Sequence, residues 1–161
     1  MKSAILTCFA AWFFLLGCQP SARFRSEELQ KSSIQNPEQL TDLDRFIENW
    51  LNVPYRYGGM SRNGIDCSGF SSLTLRDVYG ITIPRSATEQ YRAGQKVRIN
   101  DLIPGDLVFF KNIRGGDIDH VGVFIGQDRF AHASESAGVI ISELREDYFQ
   151  DRFVGACRFH R

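Results

Sequence analysis

Apolar residues recur at helical spacing in the first part of the chain and at sheet spacing in the second. Leu43, Phe46, Ile47, Trp50 and Leu51 form one stripe. Thr41 is placed to cap that helix, and Asp42 and Asp44 sit in its first turn, where the helix dipole favours acids. Pro54 ends it. Phe70, Leu73, Thr74, Asp77 and Val78 follow at spacings of three and four, with Leu75 off the stripe. They predict a second helix that buries Phe70, Leu73 and Val78. Ser86-Ala87-Thr88-Glu89 has the spacing of a capping box and opens a third helix through Gln90 and Tyr91, which Gly94 stops.

From Val97 onward the pattern is that of strands, at 107–110, 121–125, 129–133 and 138–142, with a strand-like run at 155–159. A glycine- and aspartate-rich loop spans 113–119, and the other connections are short, so the sheet is expected to be antiparallel. Helices first and strands after define the α+β class, with N-terminal helices packed on an antiparallel β-sheet.

The extreme N-terminus reads as an address. Lys2 precedes thirteen uncharged, mostly apolar residues, Ala4 to Leu16. That length suits a signal segment and is short for a membrane span. Leu15-Leu16-Gly17-Cys18 resembles a bacterial lipobox, which implies cleavage before Cys18 and lipidation of its sulfur. Gln19 rather than Asp follows, which by resemblance to Gram-negative lipoproteins points to the outer membrane, facing the periplasm. The expected organisation is a signal peptide at 1–17, a lipidated cysteine and polar flexible tether at 18–40, and one domain at 41–161.

Composition narrows the function classes only slightly. The chain has 161 residues, 43% hydrophobic, with 19 basic and 19 acidic side chains, so it carries no electrostatic footprint for nucleic acid. A monomer is expected. The three histidines are His120, His132 and His160, the last read as a solvated residue of the chain end.

Gly64-Ile65-Asp66-Cys67-Ser68-Gly69-Phe70 carries the candidate chemistry. Asp66 stands where an N-cap would, which puts Cys67 in the first helical turn, beside unpaired N–H groups that lower a thiol pKa. The local residues leave the alternatives level: a nucleophile, or a small buried hydrophobe or half of a disulfide, for which Cys157 is the partner in reach. Two of the histidines decide the balance. His120 opens one predicted strand and His132 lies in the next. A two-residue turn at Gln127-Asp128 would set His132 opposite Val123, on the wrong face from His120. An odd-length turn or one bulge near Gly126 brings both imidazoles to one face, and that is the expected geometry. Cys67, His120 and His132 then make a nucleophile, a general base and a residue that orients the base, with the Cys67 N–H and the Tyr55 hydroxyl as oxyanion donors. A Cys-His-His zinc site ranks below this, since no C-x-x-C or H-E-x-x-H pair occurs; no metal or cofactor is expected. Arg85 is read as a surface salt-bridge residue in preference to a contact for a substrate carboxylate, and Tyr57 as a core or cleft-wall aromatic.

Five ordered blocks carry a resemblance: Asp66-Cys67-Ser68-Gly69-Phe70, Pro84-Arg85-Ser86, Gly105-Asp106-Leu107-Val108-Phe109, His120-Val121-Gly122-Val123 and His132-Ala133-Ser134. Together they resemble the NlpC family of papain-like, cell-wall cysteine peptidases, and most of all its lipid-anchored murein endopeptidases. The resemblance implies a papain-like fold, with Cys67 as nucleophile, His120 as base and His132 as third polar residue. It implies that Tyr55 lies near the thiol and that Asp66 and Ser68 line the substrate cleft. The implied partners are peptidoglycan stem peptides and, through the anchor, a membrane. The implied reaction is hydrolysis beside diaminopimelate, at the D-alanyl–diaminopimelate cross-link in preference to the D-glutamyl–diaminopimelate bond. A non-catalytic wall-binding lipoprotein, or an acyltransferase or amidase on the same thiol scaffold, are the competing readings. Thiol alkylation separates the first from a peptidase and product analysis the second.

Overall fold

The computed structural model describes residues 41–159. The expectations placed on the signal segment, on Cys18 and the tether, and on His160 lie outside the described residues. Helix α1 is Asp42–Trp50, β1 Met60–Ser61, β2 Gly64–Ile65, α2 Cys67–Tyr79 and α3 Ala87–Ala93. Strands β3 (Gln95–Val97), β4 (Leu107–Phe110), β5 (His120–Gly126), β6 (Arg129–Ser134) and β7 (Gly138–Glu143) follow. The short helix α4 (Asp147–Gln150) and strand β8 (Phe153–Arg158) complete the domain.

Thr41 starts α1 with a full capping box, its hydroxyl accepting from the Asp44 N–H while the Asp44 carboxylate accepts from the Thr41 N–H. Leu43, Ile47 and Trp50 are buried as the stripe requires. Ser86 caps α3 through the Glu89 N–H. The six-stranded sheet runs in the order β3-β8-β4-β5-β6-β7, every neighbouring pair antiparallel. The class is therefore α+β, as the chain's pattern predicts. The β1–β2 hairpin, β3 and α4 are too short to leave a periodic signal and were not expected.

The sheet buries both faces. Leu107, Phe109, Val121, Val123, Ala131 and Ala133 turn toward the helical layer. Val108, Phe110, Phe124, Phe130 and Ala156 turn the other way and are covered by Phe149 of α4 and by Leu144. Phe70, Phe109, Phe110 and Phe130 are wholly buried, each contributing roughly 1.5–3 kcal/mol by leaving water.

Helix α2 departs from the amphipathic expectation. Leu75, off the predicted stripe, is 2% exposed, whereas Asp77 on the stripe is exposed and Val78 only half-buried. The reason is that α2 is enclosed, with β5 and β6 on one side and α1 and α3 on others. Its first two turns bury Ser68, Ser71 and Thr74 together with Phe70 and Leu73. Gln90 of α3, fully buried, ties that end down: its amide donates to the carbonyls of Pro84 (2.8 Å) and Ser68 (3.0 Å) and to the Ser72 hydroxyl (3.0 Å). Its carbonyl accepts from the Ser71 hydroxyl at 2.9 Å.

Candidate active site

Asp66 builds the turn that presents Cys67. As N-cap of α2 its carboxylate accepts from the Gly69 N–H at 2.7 Å, and it also accepts from the Gly58 N–H at 2.8 Å. Arg85 closes on the same carboxylate with both terminal nitrogens, each at 2.8 Å, and donates further to the Ser68 hydroxyl (2.9 Å) and the Gly59 carbonyl (3.2 Å). The expected salt bridge of Arg85 is formed, with the guanidinium side partly exposed and the carboxylate side buried. Its partner Asp66 is 5% exposed, and the pair is a bidentate clamp between the start of α2 and the Gly58-Gly59 turn. Burial opposes ionisation of Asp66, but the hydrogen bonds from Arg85, Gly69 and Gly58 outweigh it and hold the carboxyl below its usual range. Gly69 is required by the same packing, since a Cβ there would meet the Gly59 carbonyl oxygen at 2.6 Å.

Cys67 is 2% exposed and its sulfur is free, as is that of Cys157, so the disulfide alternative is not the arrangement formed. The thiol donates toward the Asp119 carbonyl at 3.9 Å. Burial pushes its pKa up to about 11, against the pull of the Val121 and Ser68 N–H groups. The helix N-terminus was expected to lower this pKa; desolvation overrides it, and the resting sulfur is a neutral thiol.

The two imidazoles come together by a bulge. Gln127 and Asp128, with φ of 54° and 57°, make a two-residue turn closed by Gly126 and Arg129. Gly126, at φ +90°, sits at the irregularity where pairing jumps from Phe124↔Phe130 to Gly126↔Arg129, leaving Ile125 as the extra residue. Val123 then pairs with Ala131, which sets His132 in register with Gly122 and on the same face as His120. His120 Nε2 and His132 Nδ1 are 2.8 Å apart, and His132 Nε2 lies 3.1 Å from the Ser142 hydroxyl. Phe130 stacks on the His132 ring, and Phe149 meets that ring edge-on. That apolar surround pushes the pKa of His120 down to about 4, with the Arg114 charge adding to it, and that of His132 down to about 3, with His120 adding to it. Both are neutral at pH 7.

The sulfur lies against the peptide groups on both sides of His120, through the Asp119 carbonyl and the Val121 N–H. Among the described residues it makes no hydrogen bond to either imidazole. Cys67 opens on a cleft of about 340 Å³ that Tyr57, Asp66, Ser68, Arg85 and Arg114 also line. The imidazoles border a separate hollow of about 460 Å³ together with Ser134, Glu135, Ser142 and Tyr148. Tyr57, read as core or cleft wall, stands 79% exposed at the cleft edge. Tyr55 runs beside Ile65 through a parallel bridge, and its hydroxyl accepts from Arg114 at 3.0 Å. Burial raises the Tyr55 pKa, so the phenol keeps the proton with which it can donate.

Three site residues escaped the sequence reading. Ser142 follows from the sheet register, because Ile140 pairs with His132 and Ser142 shares that face two residues on. Asp119 folds the 113–119 loop by accepting from the N–H groups of Ile113 (3.1 Å), Arg114 (2.7 Å) and Gly116 (2.8 Å). Arg114, carried by that loop, has no local sequence signal at all.

A model of the NlpC/P60 family matches residues 52–158. The chain is 42% identical over 119 residues to the probable endopeptidase NlpC of Escherichia coli K12, covering 74% of this chain and 77% of that protein. It is 38% identical over 143 residues to the murein DD-endopeptidase MepS/murein LD-carboxypeptidase of the same strain, covering 89% and 75%. The crystal structure of an NlpC/P60 family protein from Bacillus cereus ATCC 10987 superposes with a TM-score of 0.66 at 35% identity. The match covers 73% of this chain and 39% of that one. The sheet, the enclosed cysteine helix and these likenesses agree on a papain-like α+β domain, and the chain belongs to the NlpC/P60 family.

Proposed function

We propose that this protein is a thiol endopeptidase of peptidoglycan, hydrolysing stem-peptide bonds beside diaminopimelate through Cys67. The observation that carries the reading is the His120–His132 pair on one sheet face, with the Cys67 sulfur packed on the peptide groups that flank His120. His132 occupies His120 Nε2, which leaves Nδ1 to take the thiol proton. For Nδ1 to accept, Nε2 must carry hydrogen and donate to His132 Nδ1, and His132 in turn donates from Nε2 to Ser142. As that proton moves to His120, the sulfur attacks the scissile carbonyl carbon. The tetrahedral oxyanion is met by the Cys67 N–H at the start of α2 and by the Tyr55 hydroxyl. His120 then protonates the leaving amine, and a thioester remains. A water molecule, losing its proton to His120, hydrolyses the thioester and regenerates the thiol. Among the described residues the resting chain has no sulfur–imidazole hydrogen bond, and His120 shares the sheet face of Phe110 while Cys67 packs on the other. The reading therefore requires the sulfur and His120 Nδ1 to meet at the strand's end when the peptide fills the cleft. Asp66 and Ser68 act by holding the nucleophile's turn, with Arg85 as their clamp.

The favoured bond is the D-alanyl–diaminopimelate cross-link. Its support is the name murein DD-endopeptidase borne by a relative 38% identical over 89% of this chain. Cys18 is the lipidation site of a protein held at the outer membrane and facing the periplasm. Its support is the Leu15-Leu16-Gly17-Cys18 run followed by Gln19. An anchor of that kind would keep the enzyme beside an insoluble polymer.

The test is digestion of cross-linked muropeptides by the purified chain, read by mass spectrometry. The native protein should yield monomers cut at the cross-link, and Cys67→Ala should yield none while keeping its far-UV circular dichroism. Undiminished cleavage by Cys67→Ala would overturn the proposal. Incorporation of labelled palmitate that vanishes in Cys18→Ala tests the anchor.

A further inference from the structure

The cleft beside Cys67 is lined by two guanidinium groups, and they are in different states. Arg85 is spent on Asp66 by the paired 2.8 Å bonds. Arg114 is not neutralised in the same way. Its nearest carboxylate is that of Glu135, 3.8 Å from Nε and on a side chain 55% exposed, a pairing worth little in water. The guanidinium is instead held in place by aromatic groups. Nη1 donates to the Tyr55 hydroxyl at 3.0 Å, and the guanidinium carbon lies 5.4 Å from the centre of the Tyr57 ring. Asp119, immediately before His120, fixes the loop that carries it through three backbone hydrogen bonds. A cation pre-set by the loop that leads into the base strand, at the rim of the nucleophile's cleft, is built to meet an anion on the bound molecule.

We propose that Arg114 is a specificity-determining residue that reads a free carboxylate on the residue next to the scissile bond. This rests on the peptidase reading above. A planar fork matches a carboxylate through two parallel hydrogen bonds. Glu135 is the internal carboxylate that occupies the guanidinium's flank until the peptide arrives. An amidated peptide offers neither the charge nor the second acceptor and binds poorly.

The experiment uses the full chain and two cross-linked muropeptides that differ only in whether the diaminopimelate side carboxyl is free or amidated. The native protein should cut the free acid about tenfold to a hundredfold more efficiently in kcat/KM, the worth of a charge-assisted hydrogen bond. Arg114→Gln, which also frees the Tyr55 hydroxyl, should lower kcat on both substrates by one shared factor. It should in addition lose the acid's advantage, mostly in KM, bringing the two substrates level, while Arg114→Lys keeps part of the preference. Glu135→Gln should lower KM for the acid. Equal cleavage of the two peptides by the native protein, or an equal loss on both in Arg114→Gln, would overturn the assignment and leave the peptidase standing. Failure of the native protein to cut either peptide would overturn both.

Discussion

His132 Nδ1 lies 2.8 Å from His120 Nε2, and that contact assigns the second histidine its work. It fixes the plane of the His120 ring and leaves Nδ1 as the nitrogen that the proposed mechanism gives to the thiol. Removing it as His132→Ala leaves Nε2 buried without a partner and lets the ring turn. The kcat of muropeptide cleavage should then fall by about a hundredfold or more, with KM little changed, the usual scale for a misplaced general base. His132→Asn keeps an acceptor near Nε2 and should recover part of the loss. Equal activity of the Ala and Asn variants would show that the contact is structural only.

The Cys67 thiol, with its pKa pushed up to about 11 by burial, is not a standing thiolate. Alkylation of Cys67 by iodoacetamide should therefore be slower at pH 7.4 than that of an exposed free thiol and should keep rising with pH past 9. Alkylation of the resting protein thus does not separate a peptidase from a wall-binding protein, and product release must do so. Cys157, wholly buried in the sheet, should stay unmodified. A plateau of the Cys67 rate below pH 7 would mean that a thiolate–imidazolium pair exists before substrate binds, contrary to the neutral site described here.

Much of this site was legible from residue order because its parts are local. An N-cap aspartate followed by cysteine, and two histidines on consecutive strands, are short-range facts, and period-two alternation then demanded the bulge found at Ile125. What could not be read arises from contacts between distant segments. Leu75 is buried because β5, β6, α1 and α3 surround α2, not because of its place on a stripe. Arg85 looks like any basic residue before a helix until the Gly58-Gly59 turn and Asp66 close around it. The fall of the thiol's pKa expected from a helix end was reversed by desolvation, and burial is a property of the packed domain.

Stability should depend on pH through the two buried imidazoles. Their folded pKa values, about 4 and about 3, lie below the ordinary 6.5. Between those values the unfolded chain binds more protons than the native one, so stability falls as pH drops. The contribution is complete above pH 6.5 and is lost on the way down to pH 4 for His120 and to pH 3 for His132, at up to about 1.4 kcal/mol per pH unit for each histidine. The Asp66 carboxyl is likewise held below its usual range, so its own contribution is lost only once the pH falls below that of an ordinary aspartate. Urea midpoints at pH 7.5 and pH 5 should show the decline, and His132→Asn should flatten it by about one proton. A midpoint that does not move between these pH values would mean that the imidazoles are hydrated in the native protein.

Gln90 offers a test of what holds the nucleophile's helix in place. All four of its hydrogen bonds go to residues of α2 or to the Pro84 carbonyl beside it. Gln90→Ala removes them from a wholly buried position, so that the Ser71 hydroxyl keeps only its 3.0 Å bond to the Ser68 carbonyl and the Pro84 carbonyl loses its amide donor. Each such group costs about 1–3 kcal/mol, so the variant should lose about 3 kcal/mol in urea unfolding. Gln90→Glu keeps the shape but replaces the donating amide with an acceptor facing two carbonyls, and should do no better unless it binds a proton. Its deficit should therefore shrink as pH is lowered from 7.5 to 6, against the trend set by the histidines in the native protein. A Gln90→Ala variant as stable as the native protein would show that α2 is held by its apolar face alone.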